Sequence, residues 1–278
     1  MTIFQSIILG AIQGLTEFIP VSSSGHLQLV PDLLGWAEPS VIFILFAHLG
    51  TLLALIIYFR RELIGYAVTV YHWLRGRLAS QEVVSLKLIR NIIIGVIPAG
   101  LLGLLLESKI EELYQSSFAS ILTAGAMLLL GIIFLFEQRI FPGEGRGEQS
   151  LNTKKSFAIG ASQAIAFIRG TSRSGITILA GRAAGLSRVA AAKFSFLVSI
   201  PIITATSLLA IVKLTELPAA QVQTELSAGI TALLSAFIFG YLAIRFLLDY
   251  LAKNSLKAFG WYRIIFAVLA ILLLAIRP

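Results

Sequence analysis

Long apolar runs without a single charge are the feature that most limits what this chain can fold into. Residues 91–106, 116–136, 226–244 and 264–276 contain no Asp, Glu, Lys or Arg. A soluble globular chain is about one quarter charged, whereas this chain is 13% charged and 57% hydrophobic. A helix needs about 20 apolar residues to cross a bilayer. The sequence therefore predicts an all-α integral membrane protein and excludes a soluble enzyme, a nucleic-acid binder and a disordered chain.

Six stretches have the length of membrane-spanning helices, and two other apolar regions are too broken to span. The broken regions, residues 1–34 and 156–186, each consist of an apolar arm, a Gly- and Ser-rich turn and a second apolar arm. This order is typical of a re-entrant helical hairpin, because irregular backbone at membrane depth must be buried in protein or line a wet cavity. Two amphipathic helices on the membrane surface are the alternative. The six predicted spans are residues 40–59, 88–106, 116–136, 190–212, 227–247 and 259–276.

Basic residues are distributed unevenly between these spans. Without the broken hairpins and Arg188, which directly follows the second one, the segments after spans one, three and five hold eleven Lys and Arg residues, and all the other segments together hold three. The positive-inside rule then places both termini outside the cytoplasm, so that the first hairpin enters from outside and the second from inside. The net charge of +8 thus reflects topology and does not indicate an acidic partner. No secretory signal peptide is expected, since no basic residue precedes Arg60, and the absence of Cys excludes disulfides and thiol chemistry.

The two broken regions also match each other. Residues 10–25 align with residues 160–175, with six of sixteen positions identical. Each hairpin precedes three predicted spans. Because an odd number of spans leaves the chain on the opposite side of the membrane, the second copy starts from the other side and has the inverted orientation. Inverted repeats with broken helices build central binding sites in many transporters. We expect one membrane domain over residues 1–278, made of a first repeat (1–137), a cytoplasmic linker (138–155) and a second, inverted repeat (156–278).

The turn of the second hairpin carries groups suited to an oxyanion. The guanidinium of Arg173 is a planar fork that fits phosphate oxygens. Glycines allow close approach of the backbone, hydroxyls donate hydrogen bonds, and a helix starting nearby would direct its free N–H groups to the same place. The alternative is an Arg that only caps the hairpin or extends to the membrane surface. The predicted phosphate-binding residues here are Gly170, Thr171, Ser172, Ser174 and Gly175.

The turn of the first hairpin carries candidate acid–base and nucleophilic groups. Gln13 and Glu17 are four residues apart and share a helix face, and an ionisable group in an apolar arm is a functional candidate. A hydroxyl of the serine run or His26 could attack a phosphorus atom, while Glu17 handles a proton or a divalent ion. Structural roles for Glu17 and His26 stay open, and for His48 structural support is the preferred interpretation. The candidate residues are Gln13, Glu17, Ser22, Ser23, Ser24, Gly25 and His26.

Together, these two motifs resemble the undecaprenyl-diphosphate phosphatase (bacitracin-resistance) family over essentially the whole chain. The resemblance implies hydrolysis of the C55 isoprenyl diphosphate to the monophosphate and inorganic phosphate, which recycles the lipid carrier for peptidoglycan synthesis. It also implies a divalent cation (Mg²⁺ or Ca²⁺), with Glu17 as its possible ligand, and an active site on the periplasmic side of the bacterial inner membrane. Gln13 takes the first position of the family's (Glu/Gln)-x-x-x-Glu motif, so only Glu17 can be an acid or an anionic metal ligand. One position departs from the family pattern, since Arg169 replaces a proline. Whether Ser23 or His26 is the nucleophile is left open.

Two other functions are compatible with the sequence. A secondary transporter or flippase of a phosphorylated lipid would also use opposed hairpins, but would need only binding groups at the turns. A passive scaffold leaves the charged groups at membrane depth unexplained. The sequence is also compatible with a homodimer, because small residues over 95–103 allow close packing of helices.

Overall fold

The computed structural model describes residues 1–114 and 118–276, without the side chains at 104, 107, 108, 111 and 113. The described residues form eleven α-helices and two short 3-10 helices, Glu148–Ser150 and Gln163–Phe167, with no β-strand among them. The α-helices are α1 (Ile3–Phe18), α2 (Ser23–Leu34), α3 (Val41–Tyr58), α4 (Arg60–Leu74), α5 (Glu82–Tyr114), α6 (Ala119–Ile140), α7 (Thr153–Ser162), α8 (Arg173–Ala183), α9 (Arg188–Leu214), α10 (Ala219–Leu251) and α11 (Lys257–Ala275).

The predicted all-α class and the six spans are confirmed. Within the described residues, α3, α6, α9, α10, α11 and the Glu82–Gly103 part of α5 are long and apolar enough to cross a membrane. Helix α10 begins at Ala219, well before the predicted start at 227, because the Ala, Gln and Glu residues among 219–226 favour a helix although the segment is interrupted by polar residues. The predicted start of span three, at residue 116, lies outside the described residues, as does the basic residue at 277.

Each broken region forms two helices joined by a turn. Helix α1 ends at Phe18, and the next residue, Ile19, has an extended backbone (φ −62°, ψ 132°). This conformation follows from the sequence, because a residue that precedes proline, here Pro20, is disfavoured in the helical region. In the second region, α7 is followed by the 3-10 helix Gln163–Phe167 and then, after the turn, by α8.

The broken regions pack against spans of the opposite half of the chain. Helix α1 lies against α10, and α7 lies against α5. Both contacts are close: an added Cβ at Gly14 would lie 2.6 Å from the Ala236 carbonyl oxygen, and one at Gly160 would lie 2.3 Å from the Gly95 carbonyl oxygen. This exchange is what a repeat related by a two-fold axis would produce. The inverted repeat and the re-entrant insertion nevertheless stay predictions.

Two predicted features, the small-residue face over 95–103 and the linker 138–155, have packing contacts inside the chain. Gly95, which belongs to the face expected to favour a homodimer, contacts Gly160 of the same chain. In the linker, Arg146 donates its backbone N–H to the Gly185 carbonyl oxygen at 2.9 Å and accepts from the Ser187 N–H at 2.8 Å. The linker therefore packs on the loop between α8 and α9, and the homodimer stays a prediction.

Candidate functional site

The turns before α2 and α8 have the same local geometry. Ser22 and Ser172 have positive φ angles of 77° and 74° and are the two non-glycine residues with this conformation in the described chain. Each serine caps the following helix, because its Oγ accepts the backbone N–H of Gly25 (3.2 Å) or Gly175 (3.1 Å). A left-handed backbone is unfavourable for a serine and is typical of functional turns. The sequence match between the two hairpins thus extends to the conformation of their turns.

Glu17 lies at the centre of a hydrogen-bond network that joins the two turns. Its Oε2 accepts from Gln13 Nε2 at 3.0 Å and from Ser23 Oγ at 2.6 Å. Its Oε1 accepts from Arg173 Nη2 of the second turn, in an ion pair. The carboxylate is buried, with Glu17 only 8% exposed. Three predicted residues, Gln13, Ser23 and Arg173, therefore all donate to the fourth, Glu17.

Two adjoining polar cavities open beside this network. One, of about 200 Å³, is lined by Glu17, Ser22, Ser172 and Arg173. The other, of about 220 Å³, is lined by Gln13, Gln28, Glu38 and Arg169. The two cavities share a wall made of Ser23, Ser24 and His48. Ser23 therefore lines both cavities while its hydroxyl is hydrogen-bonded to a carboxylate.

His26 is not brought to either cavity. It is 3% exposed, and its Nδ1 lies 2.7 Å from the Ser22 carbonyl oxygen. Since a carbonyl oxygen only accepts, Nδ1 carries the hydrogen, and Nε2 accepts from the Tyr262 hydroxyl at 2.7 Å. The ring also stacks on Phe266, with centroids 4.4 Å apart. Both ring nitrogens are therefore engaged in hydrogen bonds within the chain, and the catalytic role of His26 stays a prediction.

His48, unlike His26, lies at the cavities. Structural support was the preferred interpretation of its sequence position, yet it lines both cavities. Its Nδ1 is 2.8 Å from the Ile44 carbonyl oxygen of the preceding helical turn. That bond orients the ring and leaves Nε2 as the other hydrogen-bonding atom. Helix α3 therefore contributes a titratable group to the site that sequence spacing did not select.

The predicted glycines allow the turns to pack closely on helix α6. Gly170 has φ 87°, and a Cβ there would lie 2.1 Å from the Thr123 carbonyl oxygen. A Cβ at Gly25 would lie 2.9 Å from the Met127 sulfur, and one at Gly175 would lie 3.1 Å from the Phe134 ring. Their small size is therefore explained by packing. Ser172 Oγ and Ser174 Oγ are 3.2 Å apart, and Ser172 lines the Arg173 cavity.

Arg263 on α11 is a residue of the site that the sequence analysis missed. It is fully buried and donates to the carbonyl oxygens of Pro20 (3.2 Å), Gly170 (2.7 Å) and Thr171 (3.2 Å). It thus ties the first turn to the second. Among the described carboxylates, none pairs with it. The available signal was a single Arg just inside the last apolar run, and a buried charge of that kind is rare unless it is functional.

The oxygens beside Glu17 fit a hard divalent cation. Gln13 Oε1 is buried and has no hydrogen-bond partner in the described part of the chain, although the same side chain donates to Glu17. Mg²⁺ and Ca²⁺ bind carboxylate, amide and hydroxyl oxygens, and often take further ligands from phosphate and water. The described residues contain no group of three or more His, Cys, Asp or Glu that could hold a metal by itself. A cation here would therefore depend on substrate oxygens.

Known proteins with similar sequences identify the family of the chain. The model of the bacitracin resistance protein BacA family matches residues 6–269. The chain belongs to this family. It is 40% identical over 267 residues to the undecaprenyl-diphosphatase of Pelobacter propionicus, covering 95% of this chain and 94% of the relative. It is 41% identical over 274 residues to undecaprenyl-diphosphatase 2 of Stutzerimonas stutzeri, covering 98% of each chain. The undecaprenyl-diphosphatase of Pelotomaculum thermopropionicum is 39% identical over 277 residues, which cover 100% of this chain and 98% of that relative.

The family membership confirms the resemblance drawn from the two serine motifs. The BacA match covers both turns, five of the six apolar helices in full and the sixth, α11, as far as residue 269. It follows that the Glu17–Ser23–Arg173 network lies in a BacA-family membrane protein, at the point where the two halves of the chain meet.

Proposed function

We propose that the chain is an undecaprenyl-diphosphate phosphatase, which hydrolyses the lipid diphosphate to undecaprenyl phosphate and inorganic phosphate. The names of its relatives support this activity. The observation that carries the proposal is the contact of a serine hydroxyl with a buried carboxylate that also pairs with an arginine. In the cell, the reaction would recycle the carrier lipid for peptidoglycan synthesis and confer bacitracin resistance, in keeping with the family's name.

An apolar groove next to the Arg173 cavity suits the isoprenyl tail. The groove has a volume of about 380 Å³ and lies between α5, α9 and the 3-10 helix Gln163–Phe167. It shares Ile202 and Thr206 with the Arg173 cavity. Leu209 at its edge is 48% exposed, which leaves the groove open to the side. A lipid diphosphate could thus keep its tail in an apolar environment while its phosphates reach polar groups.

The network supports Ser23 as the nucleophile. We propose that the Ser23 oxygen attacks the terminal phosphorus while its proton passes to Glu17. The bond from that phosphorus to the bridging oxygen breaks, and undecaprenyl phosphate leaves with the bonding electrons. Arg173 stabilises the negative charge that develops. A water molecule then attacks the phosphorus of the phosphoserine, and the bond from that phosphorus to the Ser23 oxygen breaks. The serine oxygen takes back the proton from Glu17, and phosphate leaves with the oxygen of the water while the proton lost by the water passes to the solvent.

The substrate itself would free the carboxylate for this role. In the ion pair with Arg173, Glu17 is a weak base, because a neighbouring cation favours the charged carboxylate. A diphosphate carries more negative charge than a carboxylate and forms bidentate bonds with a guanidinium. It would therefore compete for Arg173 and leave Glu17 with its bonds from Gln13 and Ser23.

Gln13 and Glu17 are the residues that would hold a divalent cation. When bound, the ion would neutralise phosphate charge and orient the diphosphate. Gln13 would contribute its unpartnered Oε1, and the carboxylate would contribute charge. The cation requirement is a proposal that rests on the family resemblance and on these oxygens.

We also propose that the protein lies in the bacterial inner membrane, with both termini and the entrance of the site on the periplasmic side. The uneven distribution of Lys and Arg supports this orientation. The absence of Cys makes a direct test possible, since single-cysteine variants can be labelled without background. A membrane-impermeant maleimide should label Glu38→Cys in intact spheroplasts and should label Gly147→Cys only after lysis. The opposite pattern would reverse the orientation.

The decisive experiment is phosphate release from undecaprenyl diphosphate by the purified protein in detergent. We expect release by the wild type and none by Arg173→Ala or Glu17→Ala. Full activity in both variants would contradict the proposed site. The alternative, a transporter or flippase, is not favoured, because binding alone does not need a hydroxyl paired with a base. Uptake of a phosphorylated lipid into proteoliposomes without hydrolysis would support that alternative.

A further inference from the structure

Arg169 has no assigned role, yet it lines the second polar cavity. This cavity is also lined by Gln13, Gln28, Ser23 and Ser24. Arg169 precedes the positive-φ residue Gly170 and is partly buried.

Tyr114 at the end of α5 holds Arg169 in place without neutralising it. The guanidinium carbon lies 4.3 Å from the centroid of the Tyr114 ring. The backbone N–H of Arg169 donates to the Tyr114 hydroxyl. Stacking of this kind fixes the plane of a guanidinium and leaves the N–H groups at its edge free to donate. The side chain is therefore pre-organised for an oxyanion.

The charges of the two cavities differ. Arg173 is paired with Glu17, whereas among the described residues no carboxylate forms an ion pair with Arg169. Glu38 also lines the Arg169 cavity, but it is exposed, where solvent screens its charge. Without Arg169, the Arg173 cavity and the cavity beside it would offer a diphosphate little net positive charge, because Glu17 neutralises Arg173. Within the described part of the chain, Arg169 is thus the arginine lining these two cavities that has no carboxylate ion pair.

The order of the cavities gives the diphosphate a direction. The apolar groove adjoins the Arg173 cavity through Ile202 and Thr206. The Arg173 cavity adjoins the Arg169 cavity through Ser23, Ser24 and His48. A substrate with its tail in the groove would therefore place its inner phosphate at Arg173 and its terminal phosphate at Arg169. Ser23 lies between the two, where it can reach the terminal phosphorus.

We propose that Arg169 binds the terminal phosphate of the lipid diphosphate, the group that leaves as inorganic phosphate. This inference rests on the proposed phosphatase function. When Ser23 attacks the terminal phosphorus and the bond to the bridging oxygen breaks, the lipid monophosphate stays at Arg173. The phosphoryl group on Ser23, and the inorganic phosphate that water releases from it, stay at Arg169.

A binding experiment tests the subsite separately from turnover. Inorganic phosphate is titrated calorimetrically into the full chain in detergent that has been saturated with farnesyl phosphate, a short isoprenyl monophosphate. We expect Arg169→Gln to weaken phosphate binding at least tenfold, because a hydrogen bond to a charged group contributes that much or more. Its affinity for farnesyl phosphate should change less than twofold. Arg75→Gln is the matched control, since Arg75 also lies over a tyrosine ring, at 5.5 Å from the centroid of Tyr71, but far from the site in sequence and exposed.

Several outcomes would overturn the proposal. Phosphate that fails to bind the wild type, or that binds Arg169→Gln equally well, would exclude a subsite at Arg169. An equal loss of farnesyl phosphate affinity would place Arg169 at the inner phosphate instead. Arg169→Lys keeps the positive charge but loses the planar guanidinium, so it should lose less affinity for phosphate than Arg169→Gln. An equal loss of phosphate affinity in both variants would point to damage of the turn and against a phosphate contact of Arg169. A wild type that binds phosphate in this way but releases none from the lipid would contradict the phosphatase function and leave the subsite standing.

Discussion

Arg173 on α8 donates a hydrogen bond to the carboxylate of Glu17 on α1, across 156 positions of sequence. The two residues belong to opposite halves of the chain. Glu17 precedes the turn that contains Ser22, and Arg173 directly follows Ser172, and both serines have a positive φ. The ion pair of Glu17 and Arg173 joins the two turns into one site. Because the pair is partly buried, loss of either partner leaves the other charge without compensation.

The carboxylate of Glu17 should be required for catalysis. Glu17→Gln keeps the size of the side chain but cannot accept a proton, so we expect the rate of phosphate release to fall by about 100-fold or more. Glu225→Gln on α10 is a matched control. Gln221 donates to Glu225 at 3.2 Å, four residues apart in a helix as Gln13 and Glu17 are, but outside the site. Activity of Glu17→Gln within tenfold of the wild type would exclude Glu17 as the base.

Ser23 should carry the nucleophilic oxygen. Ser23→Ala removes the hydroxyl that lies 2.6 Å from Glu17 Oε2 and leaves the N-terminus of α2 capped by Ser22. We expect phosphate release to fall by at least about 100-fold with little change in the melting temperature. Ser162→Ala, which also removes a partly buried hydroxyl, should keep normal activity. Trapping of a phosphoserine at position 23 by rapid quench would support the covalent step, and full activity of Ser23→Ala would contradict it.

His26 should contribute to stability more than to chemistry. Tyr262→Phe removes the donor to His26 Nε2 and leaves the histidine in place. We expect a loss of about 1 kcal/mol in the free energy of unfolding, the usual net contribution of a hydrogen bond, with phosphate release within a few-fold of the wild type. Thermal unfolding in detergent and initial rates check both values. A large loss of activity at an unchanged melting temperature would return His26 to the list of nucleophiles.

Arg263 should hold the two turns together. Arg263→Met fills similar volume but removes the donors to the Pro20, Gly170 and Thr171 carbonyl oxygens. Buried acceptors without partners are destabilising by about 1–3 kcal/mol each, so we expect a large fall in melting temperature and a loss of phosphate release. Arg245→Met, at an exposed position of α10, should change neither. An unchanged melting temperature in Arg263→Met would show that the turns hold without it.

The predicted spans and the two serine turns were accessible from the sequence because their causes are local. An apolar run of membrane length has few stable alternatives to a helix in lipid. Pro20 ends α1 through its own sterics, and Ser22 and Ser172 cap helices three residues from a glycine. Gln13 and Glu17 meet because they are one helical turn apart.

The roles of the individual polar side chains depend on contacts that sequence spacing does not encode. Gln13 and Gln163 occupy matching positions of the repeat, yet Gln13 donates to Glu17 and Gln163 donates to the Gly95 carbonyl oxygen at 3.1 Å. His26 is next to the serine run but is held by Tyr262 from α11. His48 and Arg169 reach the cavities through the packing of α3 and through Tyr114.

By itself, the sequence determined that this chain is a six-span helical membrane protein with two matching polar turns, because hydrophobicity and turn chemistry act over a few neighbouring residues. Only the tertiary structure decided which polar groups share a cavity. A buried charge or hydroxyl must find a partner in a medium without water, and at this site the partners come from distant helices: Arg173 for Glu17, Tyr262 for His26, and three turn carbonyls for Arg263.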